Sequence, residues 1–191
     1  MRRIAILASG SGSNAENINT WFSGSKLAKV SLILTDNPHA FVLERAQRMG
    51  IEALVFTPAE LRSGIVLATL QSKKIDFVVL AGFLKLIPVA LVEAYRGKII
   101  NIHPALLPKF GGKGMYGDRV HKAVVDAGET ESGITIHYVN EHYDEGHIVF
   151  QAKCPVSIDD TPETVAQKVH ALEYAHYPRV IEELISNLDT Q

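Results

Sequence analysis

The chain has 191 residues, 47% of them hydrophobic and 21% charged, with a net charge of -2 at neutral pH. That is enough for one substantial core; it is not the composition of a disordered or membrane-spanning chain, and it lacks the basic excess of a dedicated nucleic-acid binder. A single cysteine, Cys154, excludes an internal disulfide and a cysteine-rich zinc site, and the eight histidines show no metal-ligating spacing, so no metal is expected.

Met1-Arg2-Arg3 before a short apolar run superficially mimics a secretion signal. The run is too short for one and passes directly into a glycine-rich turn, so a cytoplasmic location is expected. Apolar runs at 4–8, 29–34, 53–56, 77–80 and 98–102 read as strands. Amphipathic segments near 14–23, 39–49, 58–74 and 88–95 read as the helices between them. This alternation predicts an α/β fold: a doubly wound, mostly parallel, Rossmann-like sheet. After residue 130 the rhythm changes. Segments 133–140 and 148–156 read as an antiparallel C-terminal strand pair, and Thr161-Pro162-Glu163 opens a long final helix with Thr161 as N-cap. Pro178 is expected to kink or restart that helix. No repeat, low-complexity tract or linker divides residues 1–191, so a single domain is expected.

Two places carry chemistry. The first is the turn Ala8-Ser9-Gly10-Ser11-Gly12-Ser13-Asn14 after the first strand. Its glycines let the backbone approach an anion, and its amides, hydroxyls and helix N-terminus supply donors, so a phosphate fits. The same spacing matches a GxGxxA dinucleotide fingerprint, and Asp36 at the end of strand two could bind a ribose, which leaves an NAD-dependent dehydrogenase open. The Asn14 side chain, where a dinucleotide site usually wants only backbone, favours a monophosphate.

The second is Asn101-Ile102-His103-Pro104, with Asp144 in a later turn. Strand alternation puts Asn101 and His103 on one face, and Pro104 stops the strand. An amide donor beside an imidazole suits acyl transfer, one stabilising a developing oxyanion and the other handling protons. Each residue alone has a plain structural reading: turn residue, strand histidine, turn aspartate.

Ser11-Gly12-Ser13-Asn14, Leu80-Ala81-Gly82-Phe83, Asn101-Ile102-His103-Pro104 with Leu106-Leu107-Pro108, and Asp144 occur in one order and spacing. In this the chain resembles the phosphoribosylglycinamide formyltransferase family, the folate-dependent transformylases of purine synthesis. The resemblance extends to Glu173-Tyr174-Ala175-His176-Tyr177-Pro178 in the last helix. The Asn-x-His and Asp set belongs to the wider formyltransferase superfamily; the Gly-Ser-Asn turn and the one-domain length narrow it.

The resemblance implies formyl transfer from 10-formyltetrahydrofolate to the amine of 5-phosphoribosylglycinamide. It implies a phosphate on Ser11, Gly12, Ser13 and Asn14, nucleotide contact at Glu173, and catalysis by Asn101, His103 and Asp144. Under it, Asp144 orients His103 and favours the imidazolium. Leu84, Lys85, Leu86 and Ile87 would line the folate pocket, with Tyr143 and Glu145 in the turn that closes over it. Lys85 reads equally as a solvated lysine, and His137 as a satisfied structural histidine. The stretch 108–118, glycine-rich beyond the family pattern, is a candidate lid, and any role for His121 depends on it. Residues 1–100 would form the nucleotide half and 101–191 the catalytic and folate half. The implied partners are small molecules, with neither nucleic acid nor membrane; monomer and homodimer stay open.

A transfer-RNA formyltransferase would be expected to carry a basic C-terminal domain, and a formylfolate hydrolase an N-terminal regulatory one. A sugar-nucleotide N-formyltransferase would differ mainly in its acceptor.

Overall fold

A computed structural model describes residues 1–188. Strands β1 (Arg2–Leu7), β2 (Ala28–Thr35), β3 (Ala53–Val55), β4 (Phe77–Leu80), β5 (Ile99–His103), β6 (Glu131–Tyr138) and β7 (Ile148–Pro155) form a seven-stranded sheet in the order β3-β2-β1-β4-β5-β6-β7. The first five strands are parallel, while β6 runs antiparallel to both β5 and β7. The expected class is observed.

The parallel strands are apolar on both faces because helices cover both. Ile4 and Ile6 of β1 pack beneath α1 (Ser13–Trp21), α2 (Val42–Met49) and α7 (Pro162–Asn187), through Ile18, Ala46 and Ile181. The alternate residues Ala5 and Leu7 face α3 (Pro58–Arg62), α4 (Ile65–Ser72) and α5 (Val89–Ala94), through Leu61, Leu70 and Leu91.

Three expectations change. The helix expected over 58–74 is two helices. Thr57 and Glu60 cap the first as a reciprocal box, and Gly64 at φ 87° separates it from the second. The long final helix starts at its Thr161 cap as expected but runs on through Pro178 without restarting. Proline cannot bond the carbonyl four residues back. Here that carbonyl, on Tyr174, instead accepts from Asn17 Nδ2 at 3.0 Å, while buried Tyr177, Val180 and Ile181 hold the helix to the sheet. Finally, α6 (Asp118–Asp126) follows the glycine-rich stretch, so buried His121 sits on a helix, beyond the loop.

Candidate active site

Strand order reverses between β1 and β4, the place where open α/β sheets form a crevice. The turn after β1, the segment after β4 and the end of β5 therefore meet. A cleft of about 670 Å³ runs from Ser11, Gly12, Ser13 and Asn14 past Asn101 and His103 to Tyr143 and Asp144. A smaller pocket at its far end is lined by Leu86, Ile87, His137 and Tyr143.

The turn keeps its shape through packing. Gly12 has φ 74°, and a Cβ there would overlap Val42. The Asn14 side chain is buried and donates to Glu173 Oε2 at 2.9 Å; His170 Nδ1 approaches the same oxygen at 3.1 Å. That pairing raises the His170 pKa above its ordinary value. Glu173 is 6% exposed and lines the cleft with His121 and His170.

Asn101 and His103 face the cleft from β5, directly opposite His137 and Thr135 of β6. Asp144 reaches them from the 141–146 turn, where its φ of 57° suits Asp better than most residues. Its Oδ2 lies 3.4 Å from His103 Nδ1 and accepts from the Gly112 N–H at 3.0 Å. Its Oδ1 lies 3.4 Å from Asn101 Nδ2 and 3.6 Å from His137 Nε2. The carboxylate fixes the Asn101 amide, since the opposite orientation would set oxygen against oxygen. His137 Nδ1 lies 2.9 Å from the Tyr138 carbonyl, which can only accept, so Nδ1 carries the proton and Nε2 is free to accept from Asn101 at 3.2 Å. The alternatives for His137 resolve in geometry: it is a satisfied histidine that also braces the site.

The same reasoning assigns His103. Its Nε2 is 2.8 Å from the Phe110 carbonyl and must donate, so in the neutral ring the Nδ1 lone pair faces Asp144. Burial pushes the His103 pKa below its ordinary value, outweighing the upward pull of Asp144 and the Phe110 carbonyl. For Asp144, burial alone would raise the pKa, yet the Gly112 amide, together with the His137 and His103 rings in their protonated forms, lowers it.

Other expected residues divide. Ile87, 2% exposed, and Leu86, 42% exposed, line the smaller pocket, whereas Leu84, also 42% exposed, lines the larger cleft. Lys85 Nζ lies 3.7 Å from Asp36. Asp36 also accepts from Ser9 Oγ at 2.6 Å, so the carboxylate a dinucleotide ribose would need is already engaged. Tyr143 lines both cavities, while Glu145 is exposed and lies outside both linings.

Thr135 escaped the sequence reading. Buried opposite His103, its hydroxyl donates to the Ala105 carbonyl at 2.7 Å and accepts from the Leu107 N–H at 3.0 Å. Gln151 Nε2 also donates to it at 2.8 Å. The period-two spacing of Thr135 and His137 was the available signal. No group of three or more His, Cys, Asp or Glu side chains that could hold a metal ion occurs among the described residues. No helix among them is long and apolar enough to cross a membrane.

Fold and site sit in an α/β domain of one family: the chain belongs to the formyl transferase family, whose model matches residues 2–181. The chain is 44% identical over 187 residues to a chloroplastic phosphoribosylglycinamide formyltransferase of Arabidopsis thaliana, covering 94% of this chain but only 64% of that relative. It is 38% identical over 191 residues to the phosphoribosylglycinamide formyltransferase of Bacillus subtilis, covering 97% of this chain and 95% of the relative. Among solved structures, the phosphoribosylglycinamide formyltransferase of Bacillus halodurans superposes with a TM-score of 0.89 at 38% identity, covering all of both chains.

Proposed function

We propose that the protein transfers the formyl group of 10-formyltetrahydrofolate to the glycyl amine of 5-phosphoribosylglycinamide. The observation that carries this is the meeting of Asn101, His103 and Asp144 in one cleft with the Ser11–Asn14 turn. The phosphate would lie on the amides and hydroxyls of Ser11, Gly12, Ser13 and Asn14, with Glu173 beside the ribose. The pterin would enter the smaller pocket at Leu86, Ile87 and Tyr143, with Lys85 shared between the two cavities and Leu84 in the adjoining cleft. Both halves of the chain contribute to this cleft.

In the reaction the amine nitrogen bonds to the formyl carbon, giving a tetrahedral oxyanion. The bond from that carbon to the folate N10 then breaks, and the proton lost by the amine ends on N10. Asn101 Nδ2 donates to the oxyanion. Its present partners, at 3.2 and 3.4 Å, are long enough for a stronger acceptor to displace them. His103 begins neutral, and its Nδ1 lone pair together with the Asp144 carboxylate forms a place for one proton. That proton is favoured when negative charge develops nearby, and released when the charge collapses. Burial, which lowers the His103 pKa, favours the neutral ring before the amine attacks.

Formyl transfer to phosphoribosylglycinamide, followed by folate absorbance, tests the reading. Wild type should turn over only with acceptor, and Asn101→Ala should lose about 10²–10³ in kcat while folding normally. Turnover without acceptor would mean a hydrolase. Activity only on amino-sugar nucleotides would move the acceptor to that class.

A further inference from the structure

The Ser11–Asn14 turn is gripped from its outer side by α2. Val42 donates its N–H to the Gly10 carbonyl at 3.1 Å, and Arg45 Nε donates to the Ser11 carbonyl at 3.0 Å. Both peptides are trans, and a trans peptide points its carbonyl opposite to the N–H that follows. Drawing these two carbonyls toward α2 therefore turns the N–H groups of Ser11 and Gly12 the other way, to the side of the cleft these residues line. Neither N–H meets an acceptor among the described residues.

Arg45 is itself held in place. Its Nη1 pairs with Glu16 on α1, and its guanidinium lies 5.1 Å from the Phe41 ring centroid. The side chain is 19% exposed and does not line the cleft. One planar fork thus spans the carbonyl of the turn and a carboxylate of the helix the turn leads into. An ammonium, a point charge without a fork, cannot reproduce both bonds.

We propose that Arg45 is a positioning residue for phosphate recognition: it fixes the Ser11 carbonyl so that the turn presents its amides to the anion. This rests on the reading of the turn as the phosphate site. Arg45 sets affinity for the phosphorylated acceptor without touching it, and has no part in folate binding.

The test is steady-state kinetics of wild type, Arg45→Lys and Arg45→Met, varying each substrate in turn. The acceptor is supplied as the nucleotide and as its dephosphorylated glycinamide riboside. Both variants should raise KM for the nucleotide about tenfold, the order of one lost hydrogen bond. Folate KM and kcat should stay within about twofold, and the preference for nucleotide over riboside should shrink. Three results would overturn the proposal: nucleotide KM unchanged in both variants; normal behaviour in Arg45→Lys with failure only in Arg45→Met, which would make the effect one of charge; or a lowered melting temperature with all parameters impaired alike, which would make it structural. A wild type that uses riboside as well as nucleotide would instead remove the phosphate reading of the turn.

Discussion

Asp144 shows how much one side chain organises here. Its two oxygens meet His103 Nδ1, the Gly112 amide, Asn101 Nδ2 and His137 Nε2, and its backbone stands at φ 57°. Asparagine tolerates that backbone and keeps the side chain's size, so Asp144→Asn isolates the charge. It should lower kcat by about 10²–10⁴ while the nucleotide KM stays near normal. Wild-type turnover in that variant would end the proposed coupling between Asp144 and His103. Asp144→Ala should additionally lose stability, because alanine in the left-handed region is strained; comparing the two variants in urea separates the effects.

At the scale of elements, the 141–146 turn is seated by a glycine. A Cβ on Gly146 would collide with the Tyr138 carbonyl, so the close approach of this turn to β6 needs a residue without one. Gly146→Ala should destabilise by about 1–3 kcal/mol and misplace Asp144, so kcat should fall together with the urea midpoint. A normal midpoint would show that the turn can shift without cost. The strands and the shared face of Asn101 and His103 were legible because their signals are local: apolar runs, period-two alternation, a proline stop and a Thr-Pro cap. The division of 58–74 was not, since Gly64 matters only through its positive φ. Helix α6 was hidden behind the glycines before it, although Val120 and Val124 repeat at helical spacing and are buried. Arg45 and Thr135 act through backbone carbonyls and amides far away in sequence, and such partners leave no pattern in the residues around them.

Across the whole molecule, the buried histidines give stability a direction in pH. Burial lowers the pKa of His103 and of His121, so between their folded values and the ordinary 6.5 the unfolded chain binds more protons than the folded one. Stability therefore falls as pH drops below about 6.5. His170 works in the opposite sense: its raised pKa contributes stability below 6.5 that is lost as pH rises through the folded value. His121→Gln should reduce the loss as pH falls below about 6.5, read from urea midpoints. An unchanged slope would show that the buried His121 ring does not set it.

The contact between Asn14 and Glu173 joins positions 159 residues apart. On a ribosome adding about 5–20 residues each second, roughly ten to thirty seconds separate the synthesis of the two. During that interval the nascent glycine-serine turn has neither its carboxylate neighbour nor α7 behind it. The contact therefore forms only once α7 has been made, and a chain arrested during translation before Glu173 would carry Asn101, His103 and Asp144 yet leave the Ser11–Asn14 turn without its carboxylate neighbour.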